Sequence, residues 1–260
     1  MIDIHCHILP EVDDGSRSLK ESIEMALIAK EQGITKIVNT SHYHPDFRYK
    51  KGAELLKELN DFNNVLKENR IDIEVVIGNE IYYTKDLIKQ IDDLDFYTLN
   101  NSRYILIELP PTNFPSDLCN IVYELKEKNY VPVFAHVERY REVQENPELI
   151  YDVINAGAII QINSHSILGK SGKELQRTCN TLISRNMVHV VGTDAHSSRR
   201  RTPIFLDAYK YVCEKYSKEV ADDLFIKNSN AIIHDEDLNI SRPYKEEVKK
   251  KGFFKRLFKL

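Results

Sequence analysis

Apolar residues gather in short runs bounded by polar or turn-forming residues, and between the runs they recur at helical spacing. The runs lie at about 2–6, 35–40, 72–81, 103–108, 131–135, 158–162 and 188–192, lengths that suit buried strands. A helix is predicted to open at Ser18, where Ser-Leu-Lys-Glu has the form of a capping box, to carry Ile23, Ala26 and Leu27 on one face, and to stop at Gly33. Further helices are predicted at about 53–69 and 85–94. One opened by Ser116 carries Leu118, Ile121, Val122 and Leu125; others follow Pro147 and span 171–186 and 203–228. Strand-then-helix units joined by short connections imply a parallel sheet, because each helix supplies the crossover.

The polar residues that close these runs add the chemistry. His5 and His7 end the first run two residues apart, which puts both imidazoles on one face of an extended segment. His42 follows Ile-Val-Asn-Thr, Glu80 follows Val-Val-Ile-Gly, and Glu108 follows Tyr-Ile-Leu-Ile. His136 follows Val-Pro-Val-Phe-Ala, and Asp194 and His196 follow His-Val-Val-Gly. A closed barrel would bring all of these carboxyl ends to one mouth, whereas an open sheet would spread them along an edge. The expected fold is therefore α/β, a distorted seven-stranded βα barrel of TIM-like form. It is expected as one domain over 1–240, with 241–260 as a separate basic amphipathic tail.

Composition narrows the class. The net charge of −4 is uneven: residues 245–260 carry +5, which leaves −9 on the body and argues against nucleic-acid binding. No apolar run is long enough to span a membrane, and the strand-like start shows no basic leader with an apolar core. Cys6, Cys119, Cys179 and Cys213 show no paired spacing and read as reduced thiols of a cytoplasmic protein. Cys6, between the two histidines, should point to the opposite face. Cys179 and Arg185 stand at the C-x5-R spacing of cysteine-based phosphatases, but no glycine lies between them. Leu175, Cys179, Leu182 and Ile183 instead share a helix face.

Several stretches together resemble the polymerase and histidinol phosphatase (PHP) superfamily of metal-dependent phosphoesterases. They are Ile2-Asp3-Ile4-His5-Cys6-His7 with Asp13-Asp14-Gly15, Thr40-Ser41-His42, Gly78-Asn79-Glu80-Ile81, Ile105 to Glu108, Pro132 to Arg139, and Gly192 to His196. More closely, the chain is similar to the bacterial manganese-dependent tyrosine-protein phosphatases of capsule and exopolysaccharide operons. The resemblance implies the PHP fold and three divalent metal ions, manganese first, with iron or zinc as alternatives. One ion would take His5, His7 and Asp194 with Glu80 bridging, a second Glu80, Glu108 and His136, and a third Asp14, His42 and His196. Asp13 is the alternative to Asp14. Such an all-nitrogen and oxygen donor set suits these metals, and neighbouring ions can activate hydroxide and clamp a phosphate oxygen.

The resemblance also favours Arg139 and Arg201 as phosphate binders, and a guanidinium fork fits phosphate oxygens well. His44, His165, Tyr43, Tyr82 and Tyr83 are secondary candidates for the pocket, while His189 and His234 read as structural. The implied substrate is phosphotyrosine in a protein, the tyrosine-rich tail of a membrane-associated tyrosine autokinase. Phe253, Phe254, Leu257 and Phe258 oppose Lys255, Arg256 and Lys259 in the tail, which suits peripheral contact with the inner face of the cell membrane. The alternatives are a small phosphate ester such as histidinol phosphate, an amidohydrolase-type barrel, and a catalytically silent module that binds the kinase tail.

Overall fold

In the computed structural model, which describes residues 1–245 apart from Pro45, Asn113 and Asn239, the strands form in the expected order, but two of them break partway. The segments are β1 (Ile2–Cys6), β2 (Lys36–Asn39), β3 (His42–Tyr43), β4 (Glu74–Ile77), β5 (Glu80–Tyr82), β6 (Tyr104–Glu108), β7 (Val131–Phe134), β8 (Ile159–Asn163) and β9 (Val190–Gly192). Hydrogen bonding gives the orders β1-β2-β4 and β3-β5-β6-β7-β8-β9, parallel throughout. Since β3 continues β2 and β5 continues β4, the two sheets are parts of one curled surface. The seven expected strands are therefore nine hydrogen-bonded segments.

The breaks have a local cause. Asn39 Nδ2 donates to Ser41 Oγ, Asn79 Nδ2 donates to the Ser41 carbonyl, and the Tyr97 amide donates to Asn79 Oδ1. These side chains take over partners that ladder bonds would otherwise need. At the other seam, β9 returns to β1 through a bridge between Cys6 and Ala195. The His7 amide donates to the Ala195 carbonyl at 2.9 Å and the Asp194 amide to the His5 carbonyl at 2.7 Å. Gly192 permits this approach, because a Cβ there would meet His5 Cβ at 2.6 Å.

Alternation along the strands separates two cores. Ile4, Val38, Val76, Tyr104, Leu106, Val133, Ala135, Ile159 and Val190 fill the inside of the curl, where Ile232 and Ile233 join them. Ile37, Val75, Ile105, Ile107, Phe134, Ile160, Ile162 and Val191 face outward and pack in the second core with Leu55, Phe62, Leu125, Val153 and Leu182 of the surrounding helices. Toward the carboxyl ends the inward positions turn polar: Tyr104 and Leu106 give way to Glu108, and Ile159 gives way to Gln161 and Asn163. With period-2 geometry, this change sets a polar layer on an apolar floor.

Of the two helix starts expected at serines, one forms as expected. Ser18 caps Leu19–Glu31 by accepting from the Glu21 amide, and Gly33 leaves it with φ +74°. Leu118–Glu127 begins after Asp117 without a side-chain cap, so Ser116 does not open it. None of the described helices is long and apolar enough to cross a membrane. At the end of the described residues the Tyr244 amide donates to the Arg185 carbonyl at 3.1 Å, and Lys245 pairs with Asp152 at 3.1 Å. The expected amphipathic face, Phe253 to Lys259, lies outside the described residues.

Candidate metal centre

The carboxyl ends bring His5, His7, Asp14, His42, Glu80, Glu108, His136, Asp194 and His196 into one cluster. Three subsets offer donor atoms within 4.8 Å of one another: His7, Asp14, His42 and His196; His5, His7, Glu80 and Asp194; and His42, Glu80 and Glu108. Glu80 is the hub. Its Oε2 lies 3.2 Å from His5 Nε2, His7 Nε2 and His42 Nδ1 alike, while its Oε1 lies 3.0 Å from His136 Nε2. His136 Nε2 is also 3.6 Å from Glu108. Asp14, whose side chain is more than half exposed, stands 3.4 Å from His42 Nε2 and 3.5 Å from His196 Nε2. Asp13 lies behind the cluster and not at its face.

A second set of side chains holds these groups in position. Asp13 Oδ2 sits 2.7 Å from His7 Nδ1 and also accepts the His42 amide at 2.8 Å. Gln161 Oε1 accepts the His136 amide at 2.8 Å and lies 3.1 Å from His5 Nδ1. With the Nδ1–H accepted by a carbonyl or carboxylate oxygen, Nε2 is the nitrogen that each ring turns toward Glu80. Gln161 Nε2 then donates to Asn163 Oδ1, and Asn163 Nδ2 donates to Asp194 Oδ2, each at 2.8 Å. Asp3 accepts from the amides of His5 and Thr193. Reading ligand types at strand ends missed Gln161 and Asn163. The signal was present: they are polar residues on the inward face of a strand that is otherwise apolar.

The backbone is strained where two of the cluster residues sit. His136 has φ 36° and ψ 49°, and Asp194 has φ 52°, left-handed conformations that are usually left to glycine. The Gln161 bond to the His136 amide and the His5 bond to the Asp194 amide hold them there. Gly15 lets the Asp13-Asp14 loop lie against His7, since a Cβ there would come within 2.5 Å of His7 Cβ.

The site's charges are strongly coupled. Burial works against ionisation of Glu80, but His5 and His42 outweigh it and hold the carboxyl well below its ordinary range. Burial also opposes the charge on Asp194, which His5 and Arg201 hold low. Glu108 is pushed up to about 8 by burial and by the Glu80 charge. Burial lowers His42, His136 and His196, favouring neutral imidazoles that can donate a lone pair. The thiols of Cys6 and Cys179 are raised well above the ordinary value, chiefly by burial. Cys179 lies inside the helix Lys173–Ser184, with no phosphate-cradling loop around it.

Arg139 and Arg201 both reach the cluster's edge. Arg139 Nη1 lies 3.1 Å from Asp194 Oδ2, and Arg201 Nη2 pairs with Asp194 Oδ1. Each side chain remains over two-fifths exposed, and both line a polar hollow of about 280 Å³ with Asn163, His165 and Asp194. Arg199 and Arg200 are exposed outside it. His165 bonds the Thr202 carbonyl with Nε2 at 2.9 Å. His189 is buried with Nδ1 accepting the Ile160 amide, and His234 is exposed. Tyr43, His44 and Tyr82 line a second hollow that also touches His42, whereas Tyr83 packs in the outer core.

Known proteins share this arrangement of sequence and fold. Residues 1–234 match the family model for capsular polysaccharide synthesis, CpsB/CapC. The chain is 35% identical over 254 residues to the tyrosine-protein phosphatase YwqE of Bacillus subtilis (strain 168), covering 98% of this chain and 99% of that protein. It is 32% identical over 241 residues to the tyrosine-protein phosphatase CpsB of Streptococcus pneumoniae, covering 91% and 99%. Among solved structures it superposes with TM-score 0.89 and 33% identity on one from the work on YwqE and CpsB, metal-dependent tyrosine phosphatases; the match covers 95% of this chain and 100% of that one. A histidinol phosphate phosphatase of Lactococcus lactis shares the fold at TM-score 0.56 and 14% identity, covering 86% and 94%.

Proposed function

The chain belongs to the CpsB/CapC capsular polysaccharide synthesis family, and on that premise we propose that it is a metal-dependent phosphatase acting on phosphotyrosine in proteins. The observation that carries the metal requirement is Glu80. Its Oε2 is buried and takes no hydrogen bond from the described residues, although three imidazole nitrogens stand 3.2 Å away. A buried carboxylate oxygen left without a donor is costly, and cations between it and the nitrogens would satisfy both. The donor set of carboxylates and imidazoles, with no thiolate, suits manganese, and iron or zinc after it.

We assign three ions: one to His5, His7 and Asp194 with Glu80 shared; a second to Glu80, Glu108 and His136, whose Nε2 lies 3.0 Å from Glu80 and 3.6 Å from Glu108; and a third to Asp14, His42 and His196. Once bound, they would supply Lewis acidity toward phosphoryl oxygens and acidify a water. The chain's own groups do the rest. Arg139 and Arg201 hold the phosphoryl group through the N–H donors they do not spend on Asp194, and stabilise charge as it builds there. Asp13 and Gln161 keep His7 and His5 in the tautomers that face the cluster. Tyrosine leaves as a phenolate of pKa about 10, so its departure asks less of a general acid than an aliphatic alkoxide would.

The supporting frame is a single catalytic unit over 1–240, working in the cytoplasm. The protein substrate proposed is the tyrosine-rich tail of a membrane-associated tyrosine kinase, with the basic segment 241–260 holding the enzyme near the membrane surface. The test is kcat/KM on a phosphotyrosine peptide against histidinol phosphate. A clear preference for the peptide is expected; a preference for histidinol phosphate would overturn the assignment, and binding of the peptide without turnover would make the chain a silent module.

A further inference from the structure

Two hollows adjoin the metal centre, and they differ in chemistry. The one that includes Asp194 is lined by Arg139, Arg201 and polar side chains. The other, of about 210 Å³, includes His42 and is walled by Tyr43, His44, Phe47, Tyr49 and Tyr82. Its rings form a continuous set. Tyr49 stacks on His42 at 6.0 Å between centroids and on Phe47 at 5.3 Å, with the last two rings only 9° from parallel. His44 packs against Tyr82 at 4.2 Å and meets Phe47 edge-on at 4.6 Å.

Core packing does not account for this set. Phe47 is 56% exposed, and neither it, Tyr49 nor Tyr82 belongs to the buried core clusters. Part-exposed aromatic rings lining a hollow beside a polar centre suit a flat, weakly polar guest that offers its own ring. His42 makes the hollow continuous with the cluster, because its ring forms part of the wall while its Nδ1 faces Glu80. In an aryl phosphate the ester oxygen joins phosphorus directly to the ring. A phosphoryl group at the cluster therefore carries its ring to the cluster's edge, and the aromatic hollow lies there.

We propose that Phe47, Tyr49 and Tyr82, with His44 in contact with both Phe47 and Tyr82, form the slot that receives the substrate's phenyl ring and thereby selects phosphotyrosine over phosphoserine and phosphothreonine. The inference rests on the phosphotyrosine reading above. The aliphatic phosphoesters would leave the slot empty and gain nothing from the rings, although their phosphoryl group would meet the same metals and arginines.

The experiment uses the metal-loaded full chain and the variants Phe47→Ala, Tyr82→Ala and Tyr82→Phe. KM and kcat are measured on a phosphotyrosine peptide, and inorganic phosphate serves as a ring-free competitive inhibitor. Each alanine variant should raise KM for the peptide roughly 2- to 12-fold, the range for loss of one ring contact. The phosphate inhibition constant and the metal content should stay unchanged, and Tyr82→Phe, which keeps the ring, should restore the KM that Tyr82→Ala loses. If wild type hydrolyses the peptide while both alanine variants keep its KM, or lose phosphate inhibition in parallel, the slot is overturned and the phosphatase reading stands. If wild type does not hydrolyse the peptide at all, both fall.

Discussion

Asp13 Oδ2 lies 2.7 Å from Nδ1 of His7, and both side chains are shielded from solvent. The pairing makes Asp13 a holder of the imidazole and leaves Asp14 to face the cluster. Burial resists ionisation of Asp13, but His7 more than compensates and keeps its carboxyl well below the ordinary range.

Asp13→Asn should weaken metal binding by roughly 10- to 100-fold, the usual effect of losing a partner behind a ligating histidine. Asp14→Asn should instead strip one ion while the others stay bound. Metal counting on the two variants at saturating manganese checks this. A full complement of ions in Asp14→Asn would assign Asp14 no ligand role.

Gln161 gives a second test of how the cluster's histidines are oriented. Gln161→Leu removes the acceptor beside His5 Nδ1 and the bond to the His136 amide. Metal affinity should fall by roughly 10- to 100-fold, and His136 should lose the support for its left-handed backbone. Titration of the apo-protein with manganese reads the affinity directly. Unchanged affinity would make the Gln161–Asn163–Asp194 chain a matter of packing alone.

Much of the frame was legible because strand and helix periods are local properties. The strand order, the capped helix at Ser18 and the polar residues at the carboxyl ends all follow from spacing. The breaks at Thr40-Ser41 and Gly78-Asn79 were not legible, since they depend on side-chain bonds between strands distant in sequence. Nor could spacing choose between Asp13 and Asp14: adjacent carboxylates differ only in where the loop turns, and the close approach at Gly15 decides that. The pairing of both Arg139 and Arg201 with Asp194 joins loops after different strands, so it appears only once the barrel closes. Cys6 falls on the opposite side from the two histidines, as expected, buried beside Ala195.

Arg139→Ala and Arg201→Ala should each reduce kcat/KM for the phosphotyrosine peptide by roughly 10- to 150-fold, equivalent to about 1.5–3 kcal/mol for a charge-assisted contact. Metal occupancy should remain full. Because both guanidinium groups also touch Asp194, metal content must be measured with the kinetics. Loss of an ion in either variant would show that the arginine's task is to hold Asp194.

His189 sets a pH dependence of stability separate from the metal centre. Burial lowers it to about 4, and its Nδ1 accepts the Ile160 amide, so the folded protein keeps it neutral. The unfolded chain takes up the proton near its ordinary value of 6.5. Stability is therefore fully present above about pH 6.5 and falls as pH drops toward 4, by roughly 3 kcal/mol from this group. His189→Asn, which keeps an acceptor but does not titrate, should lose less stability over that window in denaturant melts at pH 7 and pH 4.5. Parallel losses in both proteins would remove His189 as the cause.

Metal-dependent hydrolysis of phosphotyrosine is tested most directly by phosphate release from a phosphotyrosine peptide, measured on one preparation before chelation, after chelation and after adding back manganese. Activity should vanish on chelation and return with the ion. His136→Ala should stay orders of magnitude below wild type throughout, and Cys179→Ala should follow wild type at each stage. Phosphate release that survives complete metal removal, or that disappears with Cys179 while the metal content is intact, would contradict the metal-centred reaction.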